Sequence, residues 1–173
     1  MTAAGPDIAD IQALRARLAE RTLMTPMIRC AAIEDAMGGE TEVYAKLEFL
    51  QHTGTFKARG ALATLFTLGP EQLAAGVTAV SAGNHAIATA YAAQALGTKA
   101  KLVMTRSANP ARVHACKEYG AQVVFSSDVH QAFEIAERIQ DEEGRYFVHP
   151  FEGVPIATGT GTVGLEICDQ CDG

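Results

Sequence analysis

Residues 77–97 read VTAVSAGNHAIATAYAAQALG. The apolar and β-branched run Val77 to Val80 has the composition of a short buried strand. Small residues break it at Ser81, Ala82 and Gly83. From Asn84 to Leu96 the chain is rich in alanine, the strongest helix former, and Gly97 is suited to end a helix. The stretch therefore reads as strand, turn and helix. The same unit recurs downstream. Lys101 to Met104 is a strand and Pro110 to Tyr119 a helix ended by Gly120. Gln122 to Phe125 is a strand, and Asp128 starts a helix that runs to Glu143 with Gly144 after it. Tyr146 to Val148 is a last short strand.

Upstream the pattern is less regular. Asp7 is a candidate cap for a helix to Arg21, with Ile8, Ile11, Leu14 and Leu18 on one face. Thr25-Pro26 closes that region, because proline restricts the residue before it. Glu42 to Glu48 alternates polar and apolar residues, as a strand does, and Lys57 to Leu68 reads as a helix. Short strands alternating with longer helices predict an α/β fold, an open parallel sheet with helices on both faces. Ligands bind such sheets at the carboxyl ends of the strands. The chemistry is expected in the strand-to-helix turns.

Composition narrows the class. The 173 residues are 48% hydrophobic and 20% charged, with a formal net charge of −6. Such a chain can bury a core, which excludes a disordered or fibrous protein. Negative charge without a basic block argues against nucleic acid as a partner. No apolar run is long enough to span a membrane, and no export signal opens the chain. A cytoplasmic protein is expected. Cys30, Cys116, Cys168 and Cys171 are too sparse for a disulfide framework. Cys168 and Cys171 form a C-x-x-C without a second ligand pair, so no metal site is expected.

Three turns carry candidate chemistry. The first is QHTGTFKARG, residues 51–60, in which Thr53 and Thr55 can cap a helix and Gly54 permits a tight turn. Lys57 then falls in the first helical turn, where the helix dipole disfavours a cation by roughly 0.3–1 kcal/mol. That field favours the neutral amine a Schiff-base lysine requires. Arg59 reads as structural. The second turn is Ser81 to His85, whose small residues allow close approach and whose backbone N–H groups, at a helix start, suit an anion. The third, GTGTVG at 159–164, matches G-x-G-x-x-G, but no good strand precedes it; it reads as a glycine-rich helix start.

Taken together the segments are far more specific than any one alone. Residues 46–61, KLEFLQHTGTFKARGA, closely resemble the pyridoxal-phosphate lysine motif of the threonine/serine dehydratase family, which are fold-type II enzymes. SAGNHA at 81–86 resembles that family's asparagine loop. HPF at 149–151 and GTGTVGLEI at 159–167 resemble the piece that re-enters its larger domain. The resemblance runs from about Thr25 to Ile167.

The resemblance implies pyridoxal 5′-phosphate as cofactor and a small amino acid as substrate. It implies that Lys57 carries the cofactor covalently and later acts as acid and base at the substrate carbon. Phe56 would pack near the cofactor ring, and Asn84 would bind its 3-hydroxyl. Ser81, Ala82, Gly83 and His85 would cradle the substrate carboxylate, largely through backbone N–H groups. The expected reaction is loss of water from a β-hydroxy amino acid, giving a 2-oxo acid and ammonia. The Lys57-Ala58-Arg59 order is dehydratase-like. Alanine at position 82, where serine racemases carry the serine that acts as second acid and base, speaks for elimination over racemisation. The family usually carries Gln at the positions of Ile87 and Thr160, which leaves open threonine, serine, hydroxyaspartate or a related substrate.

The same resemblance implies a division of the chain. Residues 1–49 would begin a large domain, 50–144 would form a small α/β domain, and 145–173 would re-enter the large one. The family's glycine-rich phosphate loop is expected beyond Ile167, so the chain reads as the N-terminal half of a longer enzyme. The 173 residues alone are expected to be a catalytically incompetent module. The apolar faces of the first and last helices are expected to be exposed, favouring self-association, and a homo-oligomer is expected.

Overall fold

The computed structural model describes residues 5–171. Its centre is a parallel four-stranded sheet. The strands are β3 (Val77–Val80), β4 (Ala100–Thr105), β5 (Gln122–Ser126) and β6 (Tyr146–Phe147), in the order β5-β4-β3-β6. Helices α5 (Asn84–Ala95), α6 (Pro110–Glu118) and α7 (Val129–Glu143) make the crossovers. Alternation along β4 puts successive side chains on opposite faces. Leu102 and Met104 join the core that holds Ala86, Ala90 and Cys116 of α5 and α6. Val103 points the other way, into Ala132, Ala136 and Ile139 of α7. The expected α/β sheet with helices on both faces is the one observed. Asp7 and Asp128 accept from the backbone at the starts of their helices, Asp7 in a full capping box with Asp10.

A second, two-stranded antiparallel sheet pairs β1 (Met27–Arg29) with β2 (Tyr44–Lys46). Between them lies α2 (Ala31–Ala36), and α4 (Pro70–Ala75) precedes β3. Neither α2 nor α4 was expected, because six residues offer no apolar period to read. Tertiary contacts hold α2. Its Glu34 is buried and accepts from the Arg29 side chain at 2.9 Å and from Val43 N at 2.8 Å.

The last helix corrects two expectations. Helix α8 runs Val154–Gln170, so the glycine-rich segment lies inside it rather than at its start. Its N–H groups are committed to the helix. The glycines are there for packing. A β-carbon at Gly159 would stand 2.5 Å from Arg59 O and 2.7 Å from Ala63 Cβ, both on α3 (Lys57–Leu65). At Gly161 it would meet Ile11 Cδ1 of α1 (Ile8–Leu18) at 2.9 Å. The first and last helices thus close on each other and on α3. Leu14 and Leu18 are buried there, contrary to the expected exposed face; Ile8 alone of that set stays largely open, at 59%. We expect Gly159→Ala to destabilise by about 2–3 kcal/mol through overpacking. Gly164→Ala, with nothing within 4 Å of its β-carbon, should stabilise by about 0.5–1 kcal/mol through helix propensity. Thermal unfolding of the two variants checks the contrast.

Under α3 lies a buried ion cluster. Arg59, 1% exposed, spans Glu166 Oε1 at 2.6 Å and Glu48 Oε1 at 2.9 Å. Lys46 Nζ sits 2.7 Å from Glu166 Oε2 and donates to Thr25 O at 2.6 Å. Burial opposes ionisation of Glu166, yet hydrogen bonds from Arg59 and Lys46 hold its carboxyl below the usual range. Two cations and two carboxylates balance. The cluster ties α3 to α8 and to the 3₁₀ turn Glu48–Leu50, and this fixes the helix start that carries Lys57.

Candidate active site

Strand order reverses between β3 and β6, so the carboxyl ends of these two neighbours flank a crevice. The turn Ser81 to Gly83 leaves β3 there, and residues 148–151 leave β6. Lys57 comes to the same place from α3. Gly54 has φ +70°, a value glycine adopts without strain. Thr55 Oγ1 then accepts from Lys57 N at 3.3 Å. Thr55 thus acts at the helix start, although Phe56 holds the cap position and Thr53 turns to the Thr55 carbonyl.

Lys57 Nζ donates to Pro150 O at 3.0 Å and stands 5.6 Å from the Phe56 ring centre. Phe56, Lys57, His85, Pro150, Ile156 and Thr160 line one narrow cleft. A larger cleft between α1, α3 and α8 holds no lysine, histidine or cysteine and lies away from this amine.

The Ser81–His85 turn adjoins the cleft through His85. Gly83 N donates to Ser81 Oγ at 3.1 Å. Among the described residues, the amides of Asn84 and His85 and the exposed Asn84 side chain have no partner. His85 is buried, and its Nε2–H donates to Val148 O at 2.9 Å. Burial, with the nearby charges of Lys57 and His149, lowers its pKa to about 4. The imidazole is therefore neutral in the fold and protonated below about pH 6.5 once unfolded. The unfolded chain binds the extra proton between those values, so stability falls as pH drops from about 6.5 to about 4, by up to about 3 kcal/mol. We expect His85→Gln to flatten that slope in denaturant midpoints measured between pH 7 and 4.5.

The structure brings Phe56, Lys57 and His85 to one cleft. Ser81, Ala82, Gly83 and Asn84 form the next turn and line none of it. Three participants escaped the sequence: the Pro150 carbonyl, Thr160 as a wall of the Lys57 cleft, and Arg112. A β-carbon at Gly83 would stand 3.1 Å from Arg112 Nη1, which reaches over from α6. Only helix packing makes that contact, so no local signal could have revealed it. Among the described residues, no three His, Cys, Asp or Glu gather to hold a metal ion.

The family model described as "Pyridoxal-phosphate dependent enzyme" matches residues 19–173. The chain belongs to that family. It is 50% identical over 165 residues to a phenylserine dehydratase of Ralstonia pickettii, covering 95% of this chain and 50% of that protein. It is 41% identical over 158 residues to an L-threonine ammonia-lyase of Thermotoga maritima, covering 88% of this chain and 39% of that protein. The structure of maize serine racemase superposes with a TM-score of 0.91 at 34% identity, covering 96% of this chain and 50% of that one. The chain therefore spans about half the length of these relatives or less.

The family's cofactor is pyridoxal phosphate, and the donors here fit it. Lys57 offers a primary amine held, among the described residues, by a carbonyl and an aromatic face. Asn84 offers an uncommitted carboxamide, and the adjoining amides are free for an anion. No helix among the described residues is long and apolar enough to cross a membrane.

Proposed function

We propose that this chain carries the lysine and substrate loop of a pyridoxal-phosphate-dependent dehydratase. The reaction is α,β-elimination of water from a β-hydroxy amino acid, followed by hydrolysis of the enamine to a 2-oxo acid and ammonia. Threonine and serine are the simplest substrates. The observation that carries this reading is the Lys57 amine at a helix start, at the switch point of the sheet, beside a turn with free amides. The names of two relatives, a phenylserine dehydratase and a threonine ammonia-lyase, support it, since both substrates are β-hydroxy amino acids.

Lys57 and Asn84 would hold the cofactor, with Phe56 beside it. When bound, pyridoxal phosphate supplies an electron sink that makes the substrate α-proton removable. The amides of the Ser81–His85 turn hold the substrate carboxylate. Lys57 Nζ takes the α-proton and returns a proton to the departing β-hydroxyl, which leaves as water. His85, neutral and tied to Val148, places no second cation beside that amine. Ala82 has no side chain that could serve as acid, which favours elimination over racemisation.

Borohydride reduction in the presence of cofactor, carried out on a full-length enzyme that contains this chain, tests the reading. A phosphopyridoxyl group mapped to Lys57, together with ammonia release from β-hydroxy amino acids, is the expected result. Fixation at scattered surface lysines, or a loaded protein that releases no ammonia, overturns it.

A further inference from the structure

The chain leaves β6 through a turn that its own histidine closes. His149 Nδ1 accepts from Glu152 N at 2.8 Å and from Phe151 N at 3.3 Å. A ring nitrogen that accepts from amides carries no proton, so the imidazole is neutral with its N–H on Nε2. Nε2 stands 3.6 Å from Glu152 Oε2, an exposed pair that contributes little. The Nδ1 contacts copy those of an Asx turn, in which a side chain binds backbone N–H groups just ahead of it. Pro150, between them, has no N–H to satisfy.

The carbonyl of that proline faces the reacting amine. Pro150 O accepts from Lys57 Nζ at 3.0 Å, and no backbone N–H among the described residues competes for it. The Pro150 C=O and the Phe151 N–H belong to one planar trans peptide and point in opposite directions. Holding the N–H on His149 therefore aims the C=O at Lys57. The approach to the turn is fixed as well. Val148 N donates to Thr78 O at 2.8 Å, and Val148 O accepts from His85 Nε2 at 2.9 Å.

We propose that His149 is a positioning residue: by holding the Phe151 N–H it orients the Pro150 carbonyl, and that carbonyl docks the Lys57 amine whenever the amine is not linked to the cofactor. The assignment rests on the dehydratase reading, in which Lys57 must be free of the cofactor while it takes the α-proton. One N–H given to Pro150 O leaves the lone pair of Nζ directed into the cleft. An amine without that acceptor swings on four methylenes and loses the geometry that proton transfer needs.

The test uses a full-length enzyme that contains this chain. An asparagine at 149 sets its carboxamide where Nδ1 lies, whereas a glutamine reaches past it towards the Nε2 side. His149→Ala and His149→Gln should each lower kcat on threonine about tenfold, the upper end of what one hydrogen bond is worth. KM should change much less, because the Ser81–His85 turn is untouched. His149→Asn should regain most of the loss. Glu152→Gln keeps both backbone donors and should change little. A second readout needs no turnover. In the cofactor-free enzyme, the released Lys57 amine should react several-fold faster with acetic anhydride in His149→Ala and His149→Gln, and at the wild-type rate in His149→Asn, as read by mass spectrometry. Thermal midpoints report folding, and should the alanine variant not fold, the glutamine and asparagine pair carries the comparison. Unchanged kcat in His149→Gln, an asparagine variant no better than the glutamine one, or equal acetylation of Lys57 in all of them overturns the positioning role and leaves the dehydratase reading standing. A loss in Glu152→Gln as large as that in His149→Gln assigns the effect to the ion pair and overturns it too. A wild-type enzyme that releases no ammonia overturns the dehydratase reading and this inference with it.

Discussion

In a full-length enzyme that contains this chain, Lys57→Ala is expected to lower ammonia release from β-hydroxy amino acids by at least about 10³-fold, roughly 4 kcal/mol of barrier. It should also abolish borohydride fixation of the cofactor at this position. The reason is positional. Lys57 is the amine in the cleft shared by Phe56, His85 and Thr160, and its side chain is held by one carbonyl, Pro150 O. Removing it costs the fold about 1 kcal/mol, the net worth of one hydrogen bond. Loss of activity should therefore appear without loss of the thermal transition. Lys57→Arg keeps a cation and a donor but cannot form the covalent link, because guanidinium stays protonated. It should be as inactive as alanine. Partial rescue of Lys57→Ala by added methylamine would show that an amine is what was lost. Lys57→Ala protein that retains wild-type turnover would sink the proposed role.

Arg59→Leu is expected to cost about 3–5 kcal/mol of stability, because it strands buried carboxylates. With the guanidinium gone, Glu166 keeps Lys46 but Glu48 loses its cation, and one negative charge stays uncompensated. Leu23 O and Thr162 Oγ1 lose a donor as well. For a chain of this size that corresponds to a fall in Tm of roughly 6–20 °C. The measurement is urea unfolding at neutral pH, read alongside Glu166→Gln. Glu166→Gln should also destabilise, because it leaves Lys46 without its carboxylate and Arg59 with Glu48 alone. An Arg59→Leu midpoint within about 0.5 kcal/mol of wild type would overturn this account of the cluster.

The two residues stand two positions apart on α3, yet they were not equally legible. Lys57 stood out because a lysine in a first helical turn runs against the dipole. Arg59 read as structural, and so it is, but its partners lie 11 and 107 positions away in sequence. The free amides of Asn84 and His85 follow from the turn that VTAVSAGNH announces. The neutral state of His85 does not: it needs burial and the Val148 carbonyl, which a different strand supplies. The G-x-G-x-x-G string shows the same divide. Its spacing suggested a helix start, whereas the space it occupies is a helix crossing in which a β-carbon at Gly159 would strike Arg59 O.

By itself the sequence determined the alternation of strands and helices, the caps at Asp7 and Asp128, and the candidate lysine and asparagine turns. These depend on neighbours a few positions apart, where periodicity, backbone propensity and turn chemistry act. The tertiary structure alone decided that β6 returns beside β3 to make the crevice, and that Pro150 meets the Lys57 amine there. It alone paired Arg59 with Glu48 and Glu166 and turned a glycine string into a packing notch. Those are contacts between residues distant in the chain. Only close packing of the whole interior fixes them, because their energies depend on burial and on partners that no local stretch contains.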